Sequence, residues 1–400
     1  MAAANPRKDH VEGHYEPPAY LRNIVLVERG QNVDIPGARG PLPPSDVADI
    51  LRCTTDCPPS DAADCDDDDE RYATEITKIV DVYKIRSGDP QQIVLGLPAN
   101  ANASVVHVFA PANHWGFEPG EPACAFPAHL DRPKIAAKKA KISNVIGVVD
   151  TGFVPTRNPN IDKFTQWDAT LDADVDGGGH GTFIASLIRQ ISPGTGVSIV
   201  RAQSVPHSEV TGRSIPPNAS LTTELHVYKS LLRLIERHRG DGNIAALNMS
   251  LGTYTVDVKN PLPLLAKAFA GWKRRFKGQI FAAAGNDDVT SRFYPADMAR
   301  VIGVEPLDVA TESTAWDENA RRVAPPKMRM PYNRMAPGVD LVGVRGAGDK
   351  NLVLWSGASF ATPVIAAVTA RDGAPPSRPL LYDDVKGLIY VDRRASLHMT

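Results

Sequence analysis

The sequence predicts an α/β protein: a doubly wound, mostly parallel sheet flanked by helices, with an N-terminal α+β extension. Three observations carry this. From Asn144 onward, short segments with strand character alternate with helical ones. Nearly every strand candidate there is apolar at consecutive positions, the pattern of a parallel sheet covered on both faces. The most chemically distinctive residues follow directly after those apolar runs, and in such sheets ligands gather at the carboxyl ends of the strands.

Taken in order, residues 1 to about 70 read as irregular, with a strand at Asn23–Val27 and a short helical pattern at Val47–Leu51. Asp66 to Glu70 are five adjacent carboxylates, whose repulsion predicts a solvated loop. Residues 74–86 read as a helix, and Gln92–Leu97 and Val105–Phe109 as strands. The lysine-rich stretch Arg132–Ser143 reads as a linker or a processing site. Beyond it come a strand at Val145–Val149, a helix at Gly181–Ile191 and a strand at Val197–Ala202. Leu221–Arg239 is a strong helix, with Leu221, Leu225, Tyr228, Leu232 and Ile235 on one face and Gly240 as its stop. Then follow a strand at Ile244–Met249, a helix at Leu262–Phe276 and strands at Ile280–Ala284, Val301–Val304, Leu341–Val344 and Leu352–Trp355.

The bulk composition excludes several classes. Hydrophobic residues make up 42% and charged residues 22% of 400, ordinary for a globular protein with a sizeable core. A formal net charge of -2 argues against nucleic acid as a partner. No apolar stretch approaches the roughly 18 residues a membrane helix needs, so no membrane partner is expected. The first twenty residues lack the apolar core of a secretion signal, which predicts a cytoplasmic protein unless a leader has been removed. Cys53, Cys57 and Cys65 cluster within thirteen positions without CxxC spacing or nearby histidines, and with Cys124 they read as free thiols rather than a zinc site; a Cys53–Cys57 or Cys57–Cys65 disulfide would reverse the expected compartment.

Five motifs carry chemistry. Val148-Val149-Asp150-Thr151-Gly152 puts a carboxylate at a strand tip before a glycine turn. Asp-Thr-Gly also marks aspartic proteases, but those need two such carboxylates, and the chain holds a single copy. Gly177-Gly178-Gly179-His180-Gly181-Thr182 lets backbone close around an imidazole at a helix start, where a neutral histidine can serve as a general base. Overlapping it, Asp172 to Gly177 mimics half of a calcium loop, yet Phe183 stands where the closing Glu belongs. Leu247 to Gly252 is an apolar strand ending Ser250-Leu251-Gly252, a backbone edge on which an extended peptide can pair. Phe281-Ala282-Ala283-Ala284-Gly285-Asn286 aims a side-chain amide from a strand tip, suited to an oxyanion. Gly357-Ala358-Ser359-Phe360-Ala361-Thr362-Pro363 opens a small-residue helix with a serine, whose hydroxyl gains from the helix N-terminus as negative charge develops.

In this order the motifs resemble the subtilisin-like serine proteases, over about residues 144 to 370. The order Asp, His, Ser is that of subtilisin, distinct from chymotrypsin and from the α/β-hydrolases, which place an acid and a histidine after the serine. The resemblance implies a serine endopeptidase with Asp150, His180 and Ser359 as catalytic triad and Asn286 as oxyanion donor. It also implies that Ser250, Leu251 and Gly252 pair with a substrate strand and, with Ala283, Ala284 and Gly285, line the primary specificity pocket. No cofactor is required for such catalysis, no metal ligand is assigned, and structural calcium has no support in the residues. The expected partners are protein or peptide substrates. Phe183 to Ser186 depart from the usual histidine helix and Phe360 replaces a frequent Met, neither being a reacting group. Asp287 and Asp288 are open to two readings, solvated turn acids or a preference for basic substrates. The expected domains are residues 1–135 as an N-terminal extension, a propeptide or regulatory region; 136–375 as the catalytic domain; and 376–400 as a C-terminal segment.

Overall fold

The central sheet forms where the apolar runs are continuous. In the computed structural model, which describes residues 19–52, 66–98, 100–111, 124–125, 141–168, 179–202, 204–212, 220–240, 244–255, 262–285, 293–307, 334–346, 352–392 and 396–399, seven strands stand side by side. Their order is Arg334–Pro337, Val301–Leu307, Gln279–Ala283, Ile244–Met249, Asn144–Asp150, Thr195–Arg201 and Thr165–Trp167, all pairings parallel. From Asn144–Asp150 the chain builds one side of the sheet and then crosses over to build the other. The strand order therefore reverses beside Asp150, the position where a crevice opens at the carboxyl edge.

Alternation along each strand feeds two cores. Ile146 and Val148 point toward the helices His180–Ile191 and Ala358–Asp372, where Phe183, Leu187, Val364 and Ile365 are buried. Val149, Leu247 and Met249 belong to the opposite core, with Leu225 and Leu231 of Glu224–Arg237 and Leu265 and Trp272 of Pro263–Arg275. The first of these two helices begins at Glu224 rather than Leu221, because the Thr223 side chain accepts from the His226 N–H and caps it.

Three N-terminal expectations are corrected. The acidic run opens a helix, Asp66–Thr77; carboxylates are stabilised at a helix N-terminus. That helix ends before a strand, Val80–Ile85, so residues 74–86 are not one helix. Residues 92–97 are not a strand: the helix Pro90–Gly96 covers most of them, capped by the Asp89 side chain accepting from the Gln91 N–H, with Pro90 in the first turn. Short apolar runs carry no period long enough to separate the two states.

The strand Ala103–Pro111 joins the N-terminal region to the rest. It pairs antiparallel with Tyr20–Glu28 and, through its last residues, with Thr222–Thr223 and Leu251–Tyr254. Helices Pro44–Leu51 and Asp66–Thr77 share a core with Glu224–Arg237. Lys229 forms a buried ion pair with Asp69 across this junction, and Glu236 accepts from Arg71 at 2.8 and 2.9 Å. Near the C-terminus, Ile389–Asp392 pairs with Leu341–Val344 and with Ser396–Met399. No described helix is long and apolar enough to cross a membrane. Cys53, Cys57, Cys65, the calcium-like stretch 172–177 and most of the 132–143 stretch lie outside the described residues.

Candidate active site

Asp150 is the last residue of its strand and is 2% exposed. Its Oδ1 accepts the Thr151 N–H at 2.8 Å and faces Nδ1 of His180 at 2.8 Å. A carboxylate can only accept, so Nδ1 carries the proton and Nε2 is left as the basic nitrogen. His180, fully buried, is the first residue of its helix. Its flanking glycines are demanded by close packing. A Cβ on Gly179 (φ 81°) would stand 2.1 Å from the Arg345 carbonyl oxygen, and one on Gly181 2.2 Å from that of Gly152. The loop after Asp150 and the histidine helix thus touch backbone to backbone, and Thr182 Oγ1 fastens them by accepting the Val154 N–H at 2.7 Å.

The imidazole is walled by aromatics. Trp355 stands edge-on with its centroid 5.4 Å away, and Phe360, the residue after Ser359, lies at 5.1 Å. Phe183 packs against both, at 5.4 and 4.8 Å. Such pairs each contribute about 0.5–1.5 kcal/mol beyond area burial and hold the ring in one orientation. Trp355 is a residue the sequence reading passed over, since an aromatic in a short strand is indistinguishable from ordinary core.

Ser359 is fully buried as the second residue of its helix. Its hydroxyl donates to the Ser250 carbonyl at 2.8 Å, and the Ser250 hydroxyl donates to the Ser359 carbonyl at 2.6 Å. Among the described residues Nε2 of His180 has no hydrogen-bond partner. Asp150, His180 and the helix bearing Ser359 thus gather at the carboxyl edge of the sheet, with the serine hydroxyl turned toward Ser250. Asn286 lies outside the described residues, as do Asp287 and Asp288.

The edge Leu251–Tyr254 is paired: Pro111 stands opposite Leu251, and Ala110 opposite Gly252. Ala110, Asp150, Thr151, Thr222 and Leu251 line one small cavity, so the N-terminal strand reaches the site itself. Sequence reading recovers Val105–Phe109 as a strand but not its destination, because pairing across this distance leaves no local signal. Ala283, Ala284 and Gly285 run out from the neighbouring strand, with Ala284 N–H donating to Val304. No group of three or more described His, Cys, Asp or Glu residues is placed to hold a metal ion.

Comparison with known proteins defines the class. Residues 142–375 match the subtilase family of peptidases, more than half of the chain. The chain belongs to the subtilase family, that of the subtilisin-like serine proteases. It is 22% identical over 275 residues to mycosin-3 of Mycobacterium tuberculosis, the match covering 56% of this chain and 57% of that protein. Similar solved structures include the prenylagaramide maturation protease PagA (20% identity, 59% of this chain and 80% of that one, TM-score 0.42). The patellamide maturation protease PatA is another (22% identity, 59% and 83%, TM-score 0.39). The chain spans a little over half the length of its curated relative.

Proposed function

We propose that the chain is a serine endopeptidase in which Ser359 is the nucleophile, His180 the general base and Asp150 the residue that orients it. The observation that carries this reading is the buried 2.8 Å contact of His180 with Asp150, beside a helix whose first turn bears Ser359. In the reaction the Ser359 hydroxyl swings from the Ser250 carbonyl to Nε2. Its oxygen bonds to the substrate carbonyl carbon, its proton passes to Nε2, and the carbonyl electron pair moves onto oxygen. The Asn286 side chain and the first-turn N–H of Ser359 stabilise that oxyanion. Collapse breaks the C–N bond, and His180 gives its proton to the departing amine. Water repeats the sequence and frees Ser359 as a hydroxyl with a carboxylate product.

Ser250 to Gly252 would hold the substrate strand, as they hold Ala110 and Pro111 here. The strand Ala103–Pro111 then acts as an intramolecular occupant that closes the cleft. The pairing of Phe109 with Thr222 and of Pro111 with Leu251 favours this over a merely adjacent module. A fluorophosphonate is expected to label the intact chain slowly and Ser359→Ala not at all. Ala110→Asp, which sets a carboxylate beside Asp150, should label faster and hydrolyse an unfolded protein. A chain inert in both the intact and Ala110→Asp forms would be a binding protein on the same fold.

A further inference from the structure

One space beside the candidate site is filled by an aromatic ring. Ser250-Leu251-Gly252 and Ala283-Ala284-Gly285 continue two adjacent parallel strands past the carboxyl edge of the sheet, Met249 pairing with Ala282. They form the two walls of a slot beside Ser359, whose hydroxyl rests on the Ser250 carbonyl. The occupant strand sets the register. Ala110 lies opposite Gly252 and Pro111 opposite Leu251; a substrate strand in that register would set its next residue opposite Ser250. A substrate seated likewise presents there the residue preceding the cleaved bond, and the slot is the space next to it.

Phe293 fills that slot. It comes from the short strand Phe293–Tyr294, which pairs with Leu251–Tyr254, Tyr254 opposite Phe293. A Cβ built on Gly252 would meet Phe293 Cε1 at 2.2 Å and Cζ at 2.5 Å, and one on Gly285 would meet Phe293 Cγ at 3.2 Å. The ring therefore lies against bare backbone on both walls, and both walls have glycine where it does. Tyr254 backs it edge-on at 4.9 Å, and both side chains are buried, at 4% and 5% exposure. Held from behind by Tyr254 and from both sides by backbone, the ring has no room to withdraw without unpacking the strand.

We propose that Phe293 is a specificity-determining residue that restricts the position before the cleaved bond to small side chains: glycine, alanine or serine. This rests on the serine peptidase reading above. A substrate with a large apolar residue at the restricted position would have to displace an aromatic ring that is part of the core.

The test uses the full-length protein in its intact and Ala110→Asp forms, each with Phe293, Phe293→Ala or Phe293→Leu. The second replacement keeps most of the packing should the first unfold. Fluorogenic peptides differ only at the residue before the cleaved bond, and fluorophosphonate labelling counts active sites. With Phe293, kcat/KM for alanine should exceed that for phenylalanine by about 100-fold or more, and the shortened side chains should shrink this ratio by about 10-fold or more. An enzyme with Phe293 that turns over phenylalanine or leucine peptides as fast as alanine overturns the assignment. So does a labelled, folded Phe293→Ala and Phe293→Leu pair with an unchanged ratio. If no form is labelled at Ser359, the peptidase reading has failed and the specificity assignment falls with it, a result separable from labelled enzyme with the wrong preference.

Discussion

Ser250 and Ser359 hold each other by two hydrogen bonds, hydroxyl to carbonyl in each direction, at 2.8 and 2.6 Å. The reason lies in the serine helix. Pro363 has no N–H, so the Ser359 carbonyl four residues earlier lacks its intrahelical donor, and the Ser250 hydroxyl donates instead. The strand Leu251–Tyr254, which follows Ser250, and the helix Ala358–Asp372 are thereby locked together.

Ser250→Ala should cost about 1–3 kcal/mol of stability, the penalty for a buried carbonyl that loses a donor. Pro363→Ala restores the N–H, so the same Ser250→Ala change in that background should cost less. Urea denaturation of the four proteins measures the coupling; purely additive losses would show that the two groups do not serve the same carbonyl.

Removing the proposed reacting groups has large expected effects. By the losses measured in subtilisin itself, Ser359→Ala or His180→Ala should lower kcat about 10⁶-fold, and Asp150→Ala about 3 × 10⁴-fold. The double variant His180→Ala with Asp150→Ala should be little worse than His180→Ala alone, because the carboxylate acts only through the imidazole. Multiplicative losses in the peptide assay would contradict this.

Stability should fall on the alkaline side because of Glu224. Burial pushes its carboxyl up to about 8, against backbone N–H donors at Leu264 and Leu265. The folded state keeps a proton that the unfolded state has lost above the ordinary value of 4.5. Its contribution is complete below that value and is lost as pH rises through about 8, at about 1.4 kcal/mol per pH unit inside the window. Glu224→Gln should flatten that limb in denaturation curves taken at pH 5, 7 and 9.

Acid should loosen the cleft strand. His107, in Ala103–Pro111, is fully buried, neither ring nitrogen has a hydrogen-bond partner among the described residues, and burial holds it down to about 4. His226 across the junction is lowered to about 3, by burial and then by Lys229. Both are neutral when folded, so their contribution is complete above 6.5 and is lost as pH falls through about 4. Amide hydrogen exchange of Ala103–Pro111, corrected for its intrinsic pH dependence, should speed up in that range, and less so in His107→Leu; an identical pH profile in the variant would refute the link.

The buried ion pair of Lys229 with Asp69 ties the N-terminal region down. Lys229→Met leaves a buried carboxylate unpaired and should cost about 3–5 kcal/mol, whereas Asp69→Leu with Lys229→Met should restore most of the loss. Thermal unfolding and the labelling rate of Ser359 should follow the same order across the three proteins.

Much of this protein was legible from its residues alone. Runs such as Val145–Val149 and Ile244–Met249 carry apolar residues on both faces, interrupted only by Gly147 and Asn248, so they announce a covered parallel sheet without any fold in view. Glycines around His180 are readable from their clustering in the motif, although the backbone that demands them, at Arg345 and Gly152, comes from elsewhere in the chain. The N-terminal region was less legible, since Pro90–Gly96 is too short to show a period and a carboxylate run suits a loop and a helix start alike.

Chain order and local chemistry thus determined the class of fold and pointed to Asp150, His180 and Ser359 as the groups to look for in it. Only the tertiary structure decided what lies in the cleft: Ala110 and Pro111 on the edge of Leu251 and Gly252, and the Phe293 ring between two glycines. Hydrophobic pattern states whether a segment is buried, but not against which partner. Contacts between residues more than a hundred positions apart are chosen by shape and hydrogen-bond register after the elements exist, and a single sequence holds no local record of that choice.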